Sequence, residues 1–261
     1  MSNIAWALNP FKRAYREIAK HAGILVLSQE GVWVLENRYE NSRKIKENMK
    51  DLWKEMKKKH RIKLGTEKLL SKLARNEIKQ GFLSFIYSAT LVLWSTLESS
   101  IKLFLLECIK NKQEAFSNDI KVTLCLFEYE RKSVDERRHY IINQLEEKSR
   151  TKTGINQFEN LLELVGLDGE IPKKISDKIY EMQQIRNLIM HRMGIIDHYF
   201  IEKCNWANNL RVGLQYKMSS SDYIKMLDAV TSYIGIIMDR INIKWSAGST
   251  KLLIPIDASA K

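Results

Sequence analysis

Proline is almost missing from this chain, with 3 in 261 residues, and glycine occurs only 11 times. So few breakers, beside abundant Lys, Glu, Leu and Ile, leave long helices unopposed, and a mostly all-α fold is expected. Cysteine is scarce as well. Cys108, Cys125 and Cys204 are odd in number and widely spaced, which argues against a disulfide framework and against secretion. No apolar run reaches the roughly 20 residues of a bilayer crossing. "AGILVLSQEGVWVL" is cut by Gln29 and Glu30, and "GFLSFIYSATLVLWSTL" stops at Glu98 and carries several Ser and Thr. The opening "MSNIAWALNPFKRAY" lacks the layout of a signal peptide. A cytoplasmic protein without a membrane partner is expected. There is no Walker loop, no GxGxxG and no GxSxG, and His191, His198 and Cys204 fit no standard zinc spacing, so neither a cofactor nor a metal is expected.

Acidic residues are outnumbered, 31 against 43 basic ones, and the formal net charge is +12. Such an excess suits a polyanionic partner such as nucleic acid, and it equally suits a basic surface that only resists aggregation. Most of it comes from residues 38–79, which hold 15 Lys and Arg against 6 Asp and Glu. Apolar positions from Val34 to Met56 recur at helical spacing, so this basic stretch reads as a long helix from Val32 to about Ile62. A short helix ending at Gly23 precedes it. Residues 1–65 thus form a basic helical N-terminal extension, residues 66–245 the main helical domain, and residues 246–261 a tail.

Within the main domain, residues 66–111 are helical with a bend near Gly81, and residues 82–97, apolar all round, run through the middle of a bundle. "KVTLCLFEYE" is a strand or a helix, "SVDERRHYIINQLEEKS" a helix, and "NQFENLLELVGL" a short helix. Pro172 opens a helix that runs to about Gly194. "HYFIEKCNWANNLRVGLQYKMS" is irregular or a small hairpin, and Ser220 or Ser221 caps a final helix.

One charge sits on the wrong face. At about 100° per residue from Ile175, the helix after Pro172 places Ile179, Met182, Ile189 and Met193 within about 40° of one line, and Arg186 falls in their midst at about 20°. A guanidinium cannot shed its proton, so it needs a partner or a path to water, where its stem can snorkel over the core. Asn187 and His191, four residues apart, share a second face at about 120° and 160°. Leu188 and Ile195 lie close to that face, so a second copy of the chain is expected to pack there. Glu98 also stands on a largely apolar stripe, with Trp94, Leu91 and Leu105, and is the natural partner for Arg186. A surface His191 near a helix C-terminus needs no further role.

Arg186, Asn187 and His191, an arginine followed by a polar residue and then by a histidine late in a bundle helix, resemble the signature of the HEPN superfamily (higher eukaryotes and prokaryotes nucleotide-binding). Glu98, in "LWSTLESSIKLFLLE", is similar to an acidic residue frequent on an early helix of that superfamily. The resemblance spans about residues 66–245. It implies a HEPN-like helical bundle and a metal-independent endoribonuclease that is active as a homodimer, with Arg186, Asn187, His191 and Glu98 as catalytic residues. The residue types suit such chemistry. A histidine moves protons near neutral pH, and an arginine offers a fixed, charged fork to phosphate oxygens. Lys57, Lys58, Lys59, Arg61 and Lys63 would hold RNA phosphates. Prokaryotic members of the superfamily are often toxins or antiphage effectors, so an antitoxin or activating protein is an implied partner. Other members bind nucleotides or proteins without cutting. One such group places a modified Tyr two residues after the His, where this chain has Met193.

Overall fold

The computed structural model describes residues 4–48, 64–116, 122–149, 151–207 and 209–246. The fold is all-α, with no strand among the described residues. The helices are α1 (Ala5–Asn48), α2 (Leu64–Lys79), α3 (Leu83–Asn111), α4 (Leu126–Glu130), α5 (Val134–Ser149), α6 (Asn156–Glu163), α7 (Lys173–Arg192), α8 (His198–Lys203) and α9 (Ser220–Ser246). Single 3-10 turns occupy Gln113–Ala115 and Asn205–Ala207.

Several boundaries differ from the sequence reading. The two helices expected before residue 62 are one over the described range: α1 runs through Gly23 and Gly31 to Asn48. A glycine inside a helix costs only about 1 kcal/mol, and good helix formers flank both positions. The ambiguous "KVTLCLFEYE" yields the short α4 and no strand. The stretch after α7, irregular or a small hairpin by sequence, forms no named strand among the described residues. Residues 198–203 are helical instead, and the return of the chain makes a single antiparallel bridge, Ile195 to Gln215. The cap of α9 is Ser219, one residue before the candidates, because Asp222 three residues on closes a capping box: the Ser219 hydroxyl donates to Asp222 at 2.6 Å and accepts the Asp222 amide at 3.1 Å. Ser133 and Glu136 build the same box at α5. Near Gly81 the helix stops rather than bends. Gly81 and Phe82 are both left-handed, at φ 69° and 62°, the Phe82 amide returns to the Glu77 carbonyl at 2.9 Å, and the Glu77 carboxylate accepts the amide and hydroxyl of Ser84 at the start of α3.

The chain divides into two compact units. The first comprises Met1–Arg16, Ser95–Gln183 and Asp228–Lys261, and the second Glu17–Trp94 and Gln184–Leu227. The core of the first unit gathers Phe11 of α1, Leu97 and Phe104 of α3, Phe158 of α6 and Tyr233 of α9. Trp6, Phe104 and Trp245 stack at one edge of it. Here Arg240 clamps the loop after α6. Its Nη1 donates to both Glu159 oxygens at 3.1 and 2.9 Å and to the Leu167 carbonyl, and its Nη2 donates to the Glu170 carbonyl.

The core of the second unit is built by Ile86, Leu93 and Trp94 of α3, Ile185 and Leu188 of α7, Phe200 of α8, and Tyr223 and Met226 of α9. Residues 82–97 are not buried all round: Ser84, Ser88 and Ser95 form an exposed stripe. Among the described helices only α3 is long and apolar enough to cross a membrane, and 56% of its apolar window is buried inside the protein. Cys108 is buried in the first unit and Cys204 in the second, while Cys125 is exposed.

Candidate functional site

The site lies in the second unit, where α7 ends. Ile185 and Leu188 turn inward, and Leu188 is only 3% exposed. The second face of α7 is therefore covered in part by the chain itself. The helix ends on two successive left-handed residues, Met193 at φ 52° and Gly194 at φ 77°. A methionine pays an energetic penalty in that region, so the conformation must be imposed from outside. The imposing contacts are visible. The Gly194 amide returns to the Leu188 carbonyl at 3.1 Å, and the Gly194 carbonyl accepts the Tyr216 amide at 2.8 Å. Gln215 donates from Nε2 to the Met193 carbonyl and to the Tyr87 hydroxyl, both at 3.2 Å. Tyr87 in turn donates to the Tyr216 carbonyl. No side chain fits at position 194, since a Cβ there would stand 2.5 Å from the Tyr87 ring.

This frame fixes the last turn of α7 and its charged groups. Arg186 is half-buried, and its Nη1 donates to Asn187 Oδ1 at 3.0 Å. Asn187 and the exposed His191 line one open recess of about 430 Å³, together with Gln184, Leu188, Arg192, Asp197, Tyr199 and Phe200. Arg192 Nε donates to Asp197 Oδ2 at 3.0 Å, and Asp197 Oδ1 caps α8 by accepting the Phe200 amide at 2.8 Å. That amide bond, helped by Arg192, holds the Asp197 carboxyl below the usual carboxylate range. Apolar side chains are exposed at and just after the end of α7: Met190, Met193 and Ile195, with Met193 at 84%, and Tyr199 of α8.

Of the residues singled out in the sequence, Asn187 and His191 line the recess and Arg186 is bonded to Asn187. Glu98 belongs to the other unit, half-buried at a recess of about 10 Å³ whose other charged groups, Lys102 and Glu146, pair with each other at 2.7 Å. That volume suits a single water. Lys57, Lys58, Lys59, Arg61 and Lys63 lie outside the described residues. His198 is exposed and Cys204 buried, and among the described residues no three His, Cys, Asp or Glu gather as a metal site. Sequence reasoning missed Gln184 and Tyr199. Gln184 carried a usable signal, because Gln184, Asn187 and His191 recur at i, i+3 and i+7, a polar row on one helix face. Tyr199 carried none, since it joins the recess only through the loop around Gly194.

Comparison of the chain with models of protein families, with curated proteins and with solved structures finds no match.

Proposed function

We propose that the chain is a metal-independent endoribonuclease of HEPN type, acting as a homodimer whose two α7 helices complete a shared site. The observation that carries this reading is that Asn187 and His191 line one open recess and that Arg186 is bonded to Asn187. In the reaction, the 2′-hydroxyl of one ribose attacks the adjacent phosphorus and the bond to the 5′-oxygen breaks, leaving a 2′,3′-cyclic phosphate. His191 accepts the 2′-hydroxyl proton, or hands a proton to the leaving 5′-oxygen. The Arg186 guanidinium neutralises charge on the phosphorane, and Asn187 orients it. Arg186 and His191 are about 140° apart on one straight helix, so a histidine from one copy and an arginine from the other meet more readily than two from one chain. Met190, Met193, Ile195 and Tyr199, exposed apolar side chains at and just after the end of α7, support such a contact. Glu98 then serves as a supporting acid. The basic stretch around Lys57–Lys59 would hold RNA phosphates, with an affinity that falls steeply with salt. A toxin or antiphage effector fits this activity, with an antitoxin or activator as its control.

The test is cleavage of a mixed RNA pool in EDTA. Wild type should cut and leave cyclic or 3′-phosphate ends, while Arg186→Ala and His191→Ala should fold, dimerise and not cut. Equal inertness of all three on many RNAs would sink the proposal. A second reading, a protein-binding module without chemistry, is favoured by one observation: Ile24, Leu27 and Val34 of α1 and Leu69 and Leu73 of α2 are apolar and exposed.

A further inference from the structure

Two consecutive glutamines on α7 are treated in opposite ways. Gln183 is used at both ends: its Oε1 accepts the Gly154 amide at 2.6 Å and its Nε2 donates to Gln157 Oε1 at 3.1 Å. Gln184 is 6% exposed, and its side-chain amide has no hydrogen-bond partner among the described residues. A buried amide left unpaired is costly, and native proteins keep few of them without a reason. The Gln184 side chain lines the 430 Å³ recess, within the size range of small-ligand pockets, roughly 300–1,000 Å³. Its companions there have distinct chemistries. Tyr199 supplies an exposed aromatic ring, Leu188 and Phe200 an apolar floor, and His191 and Arg192 basic groups at the edge.

An aromatic ring, an unpaired primary amide and edge cations are the parts that recognise an unpaired nucleobase on its phosphate backbone. We infer that this recess takes one nucleobase of single-stranded RNA, stacked on Tyr199 and read along its edge by the Gln184 amide. An amide offers one donor and one acceptor side by side, the complement of an adenine edge, so adenine is the expected base. Gln184 is thus a specificity residue: it chooses which nucleotide stands beside the Arg186–His191 pair and takes no part in proton transfer. Arg192 is paired with Asp197 and is the group that turns to the incoming phosphate. The inference rests on the reading of this face as an RNA site, but binding can be measured without any cleavage.

The experiment is titration of 2′-O-methyl hexauridylate and its singly substituted A, C and G versions, which lack the attacking hydroxyl and cannot be cut, into wild type, Gln184→Met, Tyr199→Ala and His191→Ala. Wild type should prefer the adenine oligomer by about 10-fold, the usual worth of one good bidentate base contact. Gln184→Met should bind all four within about twofold, and its melting temperature should equal or exceed that of wild type, because an unsatisfied buried amide has been removed. Tyr199→Ala should weaken every oligomer by about 10-fold or more, the loss of one stacking platform. His191→Ala, which removes a basic group at the edge, should weaken all four alike and keep the preference.

A wild type that binds all four alike overturns the inference, as does a preference that survives Gln184→Met or a melting temperature that falls in that variant. If 5′-AMP binds as tightly as the adenine hexamer and with the same dependence on Gln184, the occupant is a free nucleotide and RNA is overturned as its source. RNA cleavage without base preference would sink the pocket alone, and base preference without cleavage would sink the nuclease alone.

Discussion

Arg186 and Arg240 both project from long helices, and their surroundings are opposite. Arg240 makes four hydrogen bonds, two to the Glu159 carboxylate and two to carbonyls of the loop after α6, and only 16% of its side chain is exposed. Tyr233 adds a hydroxyl to Glu159 at 2.6 Å, and the Gly169 amide adds another donor at 2.8 Å. Both terminal nitrogens of that guanidinium are committed to holding a loop. Among the described residues Arg186 makes one hydrogen bond, to its own neighbour Asn187, which lines an open recess. The same side chain can thus act as a rivet or stand ready for an anion, and what separates the two is how many of its five donors the protein has already used.

The comparison can be broken from either side. The largest effect is expected at the open site. His191→Ala should lower RNA cleavage by about 10²–10⁴-fold, the usual worth of a general acid or base, while thermal stability moves by no more than about 0.5 kcal/mol. Arg240→Ala should do the reverse. Removing one partner of a buried, hydrogen-bonded ion pair costs about 3 kcal/mol, read as a lower midpoint in urea, with cleavage per folded molecule unchanged. An Arg240 variant that folds normally but fails to cut would show that the two arginines are not divided in this way.

A smaller effect should join the two measurements at one residue. Gly194→Ala forces a Cβ against Tyr87 at φ 77°, which should cost about 2 kcal/mol and shift the end of α7. Cleavage and stability should fall together there, and an unchanged cleavage rate would detach the frame from the site. The smallest effect concerns the rivet. Tyr233→Phe removes one hydrogen bond, worth about 1 kcal/mol at neutral pH. Burial, and then the charge of Glu159, hold the Tyr233 pKa well above its ordinary value. The folded protein therefore favours the neutral phenol. Its contribution is whole below the unfolded value of about 10 and drains away as the solution becomes more alkaline. Urea midpoints measured across that range should fall less steeply in Tyr233→Phe than in wild type.

The open side of this comparison was readable from the sequence, and the riveted side was not. Pro172 and Gly194 bracket α7 to within two residues, and the angular position of Arg186 marked it as exceptional before any contact was known. The local signals for α5, α6 and α9 also sufficed, since a cap and a periodic face determine a helix without reference to the rest of the chain. What failed was anything set by packing. Gly23 looked like a break, yet α1 passes through it. Arg240 attracted no notice because Glu159, Leu167 and Glu170 lie some seventy or eighty residues away along the chain. The unpaired state of Gln184 is likewise a property of its neighbours and not of its name.

The placing of the three cysteines allows the motions of the molecule to be timed. Cys125 is exposed and should react with a maleimide at once. Cys108 and Cys204 are each fully enclosed, one in each unit, and burial also pushes the Cys108 thiol up, away from its reactive thiolate. With Cys125 blocked, each remaining thiol can be labelled only when its own half of the protein opens. Two modification rates, resolved by mass on peptides, then act as separate clocks for the two units, and they tell whether the half that carries the recess breathes on its own or only when the whole chain lets go.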